Sequence, residues 1–211
     1  YLKGYSKFGL GVVTGNNEKF LETKATDLNE PILKGREIFK FKTAQPQHYI
    51  VFEREKMQQV APDEIYRAEQ KLLYRFICNK LVFAYDDRKT LTLNSANILI
   101  PLIPRLDIKY VMALLNSRVI QFYYENKFNS VKVLRSHIEE LPLALPSKKA
   151  YKLILEQVDE IMKIPSGRSL EYLYDDLDAT IALLYGLNRD EYQVILDYFM
   201  DDNLFVKCPE P

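Results

Sequence analysis

The sequence predicts an α+β fold, in which a small, mixed, mainly antiparallel sheet with packed helices is followed by an all-helical C-terminal segment. Before Pro104, apolar residues occur mostly in short β-prone runs separated by polar turn residues, which is typical of strands. After Pro104 they recur every three to four residues, which is typical of amphipathic helices. The composition, with 47% hydrophobic and 27% charged residues, is that of a globular protein.

The strands predicted before Pro104 are short. They lie at Leu10–Val13, His48–Glu53, Leu81–Tyr85, Thr90–Leu93 and Ala96–Ile100. The polar residues between the third and the fourth predict the loop of a hairpin. A helix is also predicted after Pro62. The apolar residues that recur there with helical spacing are Ile65, Ala68, Leu72, Leu73 and Phe76.

A long helix from Ile108 to Glu125 is predicted next, followed by a proline-rich linker at Leu141–Pro146. Beyond the linker, apolar stripes predict three helices. Gly186 is suited to end the second, and Asn188 with Glu191 to cap the third. We therefore predict two units, a mixed α+β unit at residues 1–145 and a helical segment at residues 146–211.

The net charge is zero, but the charges are unevenly distributed. Residues 1–150 hold 24 Lys and Arg against 16 Asp and Glu, a balance of +8, and residues 151–211 hold 5 against 13, a balance of −8. The basic part could face a polyanion such as nucleic acid, and the acidic part could not easily do so. Because chains without a polyanionic partner also show such splits, the charge alone leaves both interpretations open.

Segments that resemble nucleotide or metal sites have simpler explanations. Gly9, Gly11 and Gly15 do not link a strand to a helix as a phosphate-binding glycine loop does. Asp63 and Glu69 lie on opposite faces of the predicted helix, so they would not share a metal ion as a nuclease requires. We expect no catalytic and no metal-binding residues in this chain.

No apolar run is long enough to span a bilayer, and the chain begins at Tyr1 without a charged-then-apolar leader. We therefore expect a piece of a longer, cytoplasmic protein that contacts no membrane.

Five short motifs follow one another in a fixed order. They are G-V-V-T-G-N-N-E-K-F at Gly11–Phe20, P-I-L-K-G-R-E-I at Pro31–Ile38, K-L-V-F-A-Y at Lys80–Tyr85, L-L-N-S-R-V-I-Q-F-Y-Y at Leu114–Tyr124 and L-P-L at Leu141–Leu143. This succession resembles the TaqI-like C-terminal specificity domain, the target recognition domain of N6-adenine DNA methyltransferases and of single-chain, type IIG-like restriction-modification enzymes. The sequence from Leu177 to Glu191 is similar to the helical ending of the same enzymes.

The resemblance implies a module that reads double-stranded DNA for a methyltransferase catalytic domain in the same parent chain. That domain carries an Asn-Pro-Pro-Tyr type tetrapeptide and a glycine-rich loop for S-adenosylmethionine. Neither occurs in this sequence. We therefore expect no cofactor in this chain and expect S-adenosylmethionine in the catalytic domain.

A DNA-reading module needs cations for phosphates and polar side chains for base edges. The candidates lie in four polar or basic segments: Thr14, Asn16 and Asn17; Lys34, Arg36 and Lys40; Arg88 and Lys89; and Lys127, Asn129, Lys132 and Arg135. We expect them to form a positive face turned away from the acidic residues of the helical segment, which include Asp175, Asp176, Asp178, Asp201 and Asp202. The segment Lys34–Glu37 has an alternative interpretation as a structural turn in which Arg36 pairs with a carboxylate.

A second functional hypothesis is a helical docking module of a multi-subunit restriction-modification complex, in which the basic part is incidental. A third, an autonomous enzyme, is the least favoured because the sequence has no catalytic constellation. Salt dependence separates the first two, because DNA binding through phosphates weakens steeply with salt and apolar docking does not.

Overall fold

Two four-stranded sheets and a group of helices make up the computed structural model, which describes residues 1–165 and 169–200. Sheet A has the strand order β1-β8-β5-β6 and is antiparallel throughout. Its strands are β1 (Ser6–Gly9), β5 (Lys71–Arg75), β6 (Phe83–Asp86) and β8 (Ala96–Pro101). One row across it aligns Phe8, Leu99, Leu72 and Tyr85.

Sheet B has the order β2-β4-β3-β7. Its strands are β2 (Leu21–Glu22), β3 (Glu30–Leu33), β4 (His48–Ile50) and β7 (Leu91–Thr92). The pairs within it are antiparallel except β3 with β7, which run parallel. The short helix α1 (Asn17–Phe20) leads into β2. The prediction of a strand at Leu10–Val13 is wrong. The strand β1 ends at Gly9, and the predicted range has only isolated β-bridges, at Val12 and Val13.

Sheet A separates two hydrophobic cores. Leu72 and Leu99 point to a core shared with the helices, whereas Leu73 and Ile98 point to a core shared with sheet B. The alternation follows from the two-residue period of a strand. Antiparallel pairing predominates and the helices are concentrated after residue 104, so the predicted α+β class is confirmed.

The helix predicted from Pro62 to Phe76 is wrong beyond its first turn. Only α2 (Asp63–Tyr66) is helical, and β5 follows it with all five of its residues buried. A strand covered on both faces carries apolar residues on both, so its sequence lacks the alternation that distinguishes it from a helix. Lys71, which begins this strand, is also buried; its ammonium group donates to the carbonyl oxygen of Tyr66 and lies 3.4 Å from the carboxylate of Asp86.

The predicted hairpin between Leu81 and Leu93 is also wrong. β6 pairs with β5 in sheet A, and β7 pairs with β3 in sheet B, so the chain crosses between sheets at residues 87–90. Asp86 fixes this crossing, because its carboxylate accepts hydrogen bonds from the backbone N–H of Thr90 at 3.0 Å and from its hydroxyl at 2.6 Å. A short polar loop can thus connect strands of two different sheets as readily as it connects two neighbouring strands of one sheet.

The long helix predicted from Ile108 to Glu125 is broken at Ser117 into α3 (Ile108–Asn116) and α4 (Arg118–Lys127). The Ser117 hydroxyl accepts a hydrogen bond from the N–H of Ile120 and so caps α4. Asn116 binds the edge strand β6, with its amide group bonded to both the N–H and the carbonyl of Phe83 at 2.9 Å.

The remaining helices are α5 (Arg135–Glu139), α6 (Lys148–Lys163), α7 (Ser169–Leu184) and α8 (Arg189–Tyr198). The three helices predicted after the linker are therefore confirmed, as are the left-handed Gly186 (φ 75°) and the capping box of Asn188 and Glu191. One core contains buried residues from Leu2 to Ile195, so the helical segment and sheet A share it. The boundary near residue 146 stays a prediction. Within the described ranges, no helix is both long and apolar enough to cross a membrane.

Candidate nucleic-acid interface

The turn that joins β7 to β8 is the point at which three of the candidate segments meet. The N–H of Ala96 donates to the carbonyl oxygen of Leu93 at 2.8 Å and closes the turn. The N–H of Asn94 donates to the carbonyl oxygen of Val12 at 3.2 Å. Ser95 accepts two hydrogen bonds, one at its hydroxyl from the N–H of Gly35 in the second segment and one at its carbonyl from the N–H of Phe76, which is itself bonded to the fourth segment. We call residues 93–96 the β7–β8 turn.

The first segment, Thr14–Asn17, follows Val12 and is held by its own side chains. The Thr14 hydroxyl donates to the side-chain oxygen of Asn17 at 2.7 Å, and the side-chain oxygen of Asn16 accepts from the N–H of Lys19 and caps α1. Thr14 is therefore a buried structural residue. The side-chain NH₂ groups of Asn16 and Asn17 have no acceptor among the residues described, so both remain donors at the surface.

The second segment is the 3₁₀ turn Gly35–Glu37, which confirms part of the alternative interpretation. The buried Glu37 accepts a hydrogen bond from the N–H of Lys34 at 2.6 Å, and the N–H of Gly35 donates to the Ser95 hydroxyl at 2.8 Å. A Cβ at Gly35 would lie 2.5 Å from the carbonyl oxygen of Ser95, so only glycine fits there. Arg36 is exposed and forms no ion pair within residues 1–165 and 169–200.

His48 from β4 contacts this turn through both nitrogens of its ring. The Lys34 ammonium lies 3.1 Å from Nε2 of His48, while Nδ1 lies 3.9 Å from the carboxylate of Glu37. Burial lowers the pKa of His48, and Lys34 lowers it further against the opposing influence of Glu37. His48 at the ammonium group and Glu37 at the backbone N–H thus fix the position of Lys34.

The fourth segment, at residues 127–135, reaches the turn through Phe76. The N–H of Phe76 donates to the carbonyl oxygen of Ser95 at 3.0 Å, and its own carbonyl accepts from the N–H of Val133 at 2.9 Å. The ammonium group of Lys132 lies 5.7 Å from the centre of the Phe76 ring. Phe76 and Ser95 therefore link Lys132 to the Lys34–Glu37 turn, although some hundred positions separate them in the sequence.

The other candidates of this segment lie further along it. Asn129 is exposed. Arg135 pairs with Glu139 at 2.9 Å and stacks on Phe8 at 5.2 Å, and Lys127 pairs with Glu140 at 2.9 Å. The ion pairs of Arg135 and Lys127 reduce their net positive charge, which makes Lys132 the stronger candidate for a phosphate contact.

Arg88 and Lys89 lie in the crossing between the sheets. Arg88 donates to the hydroxyl of Thr43 at 3.1 Å, and Thr43 bridges to Ile38 directly after the Gly35–Glu37 turn. Lys89 is exposed with a left-handed backbone (φ 58°). Arg88 is thus held next to the second segment, and Lys89 follows it in the chain.

Lys40 is turned into the protein. Its ammonium donates to the carbonyl oxygen of Asn116 at 2.8 Å, and burial lowers its pKa although Asp178 acts to raise it. This environment favours a structural role for Lys40 rather than contact with DNA.

Sequence reasoning missed Asn94 and Ser95, which lie at the turn on which the candidate segments converge. Their only sequence signal is an Asn-Ser pair between two β-prone runs, which marks a turn but not its neighbours. Asn94 is exposed and its side chain forms no hydrogen bond in the described part of the chain.

Gly9 and Gly11 provide close packing instead of a cradle for a cofactor. A Cβ on Gly11 would lie 2.1 Å from the carbonyl oxygen of Leu93, and one on Gly9 would lie 2.5 Å from the side chain of Ile65. The space beside both glycines is filled by the protein itself, so these residues do not fit S-adenosylmethionine. Across the described ranges, no group of three or more His, Cys, Asp or Glu is placed to hold a metal ion.

Comparison with solved structures shows a shared fold. The Type IIL restriction-modification enzyme MmeI in complex with DNA matches with a TM-score of 0.64 and 14% identity over 90% of this chain and 36% of its own. A structure of the type I R-M system, described for its assembly and conformational transition, matches with a TM-score of 0.53 and 15% identity over 96% of this chain and 45% of its own. The HsdS subunit from Thermoanaerobacter tengcongensis matches with a TM-score of 0.49 and 13% identity over 87% and 43%.

This chain therefore spans less than half the length of each of these proteins. The curated proteins include no match. The family described as the TaqI-like C-terminal specificity domain matches residues 30–143, which contain both the Gly35–Glu37 turn and the β7–β8 turn. Because this match covers more than half of the 211 residues, the chain belongs to the TaqI-like C-terminal specificity domain family.

Proposed function

We propose that this chain recognises double-stranded DNA and positions it for an adenine-N6 methyltransferase domain in the same cytoplasmic parent protein, of the type IIG-like restriction-modification kind. The observation that carries the proposal is the convergence of three polar segments on the β7–β8 turn. Arg36, Lys132 and the asparagine amides lie around it, and Arg88 and Lys89 extend it. This arrangement combines cations for phosphates with amides for base edges.

The cofactor belongs to the catalytic domain in this proposal. The glycines that could have cradled S-adenosylmethionine are packed against Leu93 and Ile65, which supports the assignment of methyl-donor binding to another part of the parent protein. The residues of this chain would hold and read the duplex without taking part in methyl transfer.

The test replaces Arg88 and Lys89 by Ala in the full-length protein and measures binding to cognate and random duplexes between about 50 and 200 mM salt. If both residues contact phosphates, affinity should fall about tenfold or more for all sequences, and the salt slope should decrease by about 2. Loss of discrimination between sequences would identify them as base readers.

The matched control is the double substitution of Lys148 and Lys149 by Ala. These exposed lysines begin α6 and carry the same charge. Their removal should leave affinity and salt slope unchanged. If the Arg88 and Lys89 variant also binds with unchanged affinity and slope, this crossing is not part of the DNA site.

A second candidate function is docking to another subunit of a restriction-modification complex. It is favoured by apolar side chains that the helical segment leaves exposed, namely Tyr172, Leu183 and Val194. Binding through these side chains would depend little on salt and would be weakened by their replacement, whereas the Arg88 and Lys89 variant would not affect it.

A further inference from the structure

Arg75, the last residue of β5, is a buried arginine beside the candidate interface. It is only 8% exposed. Its Nε donates to the carbonyl oxygen of Ile38 at 2.7 Å, and its guanidinium carbon lies 5.4 Å from the centre of the Phe39 ring. Among the residues described, no Asp or Glu forms an ion pair with it. Burial without a carboxylate lowers its pKa.

Two other arginines, one largely buried and one exposed beside an aromatic ring, have acidic partners. The largely buried Arg118 lies 2.5 Å from Asp175 and 3.3 Å from Asp178. Arg67 stacks on Phe52 much as Arg75 stacks on Phe39, but it forms a two-pronged ion pair with Glu30. A cation removed from water without a counter-charge destabilises a fold. Arg75 is therefore a mostly buried cation whose charge no carboxylate among the described residues balances.

The surroundings of Arg75 indicate which group could meet it. Arg75 pairs with Ala96 in sheet A, so it lies beside the β7–β8 turn, and Phe39 above it is 50% exposed. Arg36 is exposed in the Gly35–Glu37 turn, which directly precedes Ile38 and Phe39. With Nε bonded to Ile38 and one face against the ring, the two terminal nitrogens of the guanidinium have no acceptor in the described ranges. Such a fork matches the oxygens of a phosphate.

We propose that Arg75 binds a phosphodiester group of the DNA backbone, with Ile38 and Phe39 holding its guanidinium in place. The inference rests on the proposed function and adds to it the residue that anchors the backbone. A phosphate fits better than a base edge, because Arg75 does not project from the surface and could not reach the floor of a groove. Phosphate oxygens, in contrast, lie on the outside of the duplex and can approach a recessed cation.

The experiment is Arg75→Met in the full-length protein, with a short duplex of random sequence as the probe. Methionine fills a similar volume and removes the desolvated charge, so the midpoint of thermal unfolding should be unchanged or higher. Affinity should nevertheless fall about tenfold or more, and the salt slope should decrease by about 1. A residue that only supports the fold would instead lower the midpoint.

Arg75→Lys is the second variant, since it keeps the charge but loses the fork and the stacking. It should bind more weakly than the unaltered protein at unchanged thermal stability. If Arg75→Met lowers the midpoint, Arg75→Lys decides the matter, and unchanged affinity in that variant would overturn the proposal.

The matched control is Arg67→Met, which removes the same charge from a stacked arginine that already has its carboxylate. The affinity and salt slope of this variant should equal those of the unaltered protein.

Two results would overturn the inference. One is binding by Arg75→Met that equals that of the unaltered protein. The other is a loss confined to particular base sequences, which would mark Arg75 as a base reader. If the unaltered protein binds no duplex, the proposed function fails. If it binds and responds to the Arg88 and Lys89 substitutions while Arg75→Met changes nothing, only this inference fails.

Discussion

Single polar side chains hold the loops of the candidate interface. Glu37 accepts from the N–H of Lys34, Ser95 accepts from the N–H of Gly35, and the Lys34 ammonium lies beside Nε2 of His48. Because an ammonium group can only donate, Nε2 of His48 has to be unprotonated for this contact. Protonation of His48 would place two cations 3.1 Å apart in a half-buried setting.

The free energy of unfolding should consequently fall as the pH is lowered from about 7 to about 5. Burial lowers the pKa of both His48 and His137 from 6.5. A base with a lowered pKa binds fewer protons in the folded than in the unfolded state, so stability is full above the unfolded pKa and is lost as the pH falls through the folded one.

Urea unfolding at a series of pH values measures this dependence. His48→Gln should reduce it, and His137→Gln should reduce what remains. Equal stability of the unaltered protein across this range would contradict the lowered pKa of both histidines.

At the scale of elements, the interface depends on chain segments that approach the β7–β8 turn with no side chain between them. A Cβ at Gly11 would lie 2.1 Å from the carbonyl oxygen of Leu93 and 2.4 Å from that of Ala96. Both are backbone atoms of the turn, so they cannot rotate away as a flexible side chain could. The absence of a side chain at Gly11 is therefore needed for the chain before the first segment to pack against the β7–β8 turn.

Gly11→Ala should lower the free energy of unfolding by about 3 kcal/mol or more, at the upper end of what overpacking costs. The control is Gly4→Ala, where the new Cβ meets open space and only the left-handed backbone (φ 80°) opposes it, at about 1–2 kcal/mol. Denaturant unfolding of both variants gives the comparison. An equal or smaller loss for Gly11→Ala would show that the turn can move away from the first segment.

At the scale of the whole molecule, the basic and acidic parts of the chain are joined through a shared core and through ion pairs. Phe41 stacks on Tyr174 of α7 with ring centres 5.5 Å apart, and Arg118 at the start of α4 pairs with Asp175 and Asp178. Asp176 accepts a hydrogen bond from Gln157 at 2.8 Å. Asp175, Asp176 and Asp178 of α7 thus bind the protein itself, while Asp201 and Asp202 lie outside the described residues.

Because the core is shared, Leu177→Ala in α7 should destabilise the whole chain and not the helical segment alone. Leu177 is buried, and its truncation should lower the free energy of unfolding by about 2–5 kcal/mol. Far-UV and near-UV circular dichroism should both report a single unfolding transition, with the same shift of its midpoint relative to the unaltered protein. The control Leu183→Ala, on the exposed face of the same helix, should change stability by no more than about 0.5 kcal/mol. Two separate transitions would instead support independent units meeting near residue 146.

Local sequence signals determined the α+β class, the three C-terminal helices, the left-handed Gly186 and the cap at Asn188, because each depends on residues close together in the chain. The motif order led to the family, and the Gly35–Glu37 turn lies within one of those motifs. These features follow from residue spacing and backbone preference, which can be recognised without knowing which other elements pack against them.

Contacts between distant residues determined the rest. β5 is a strand because partners cover it on both sides, and β7 joins sheet B because Asp86 and β3 direct it there. Lys40 points inward because Asn116 offers a carbonyl oxygen, and Arg75 lies beside the interface because β8 carries the turn past it. Whether a cation faces solvent, a carboxylate or a carbonyl depends on the side chains that folding brings to it, and neighbours in sequence do not specify them.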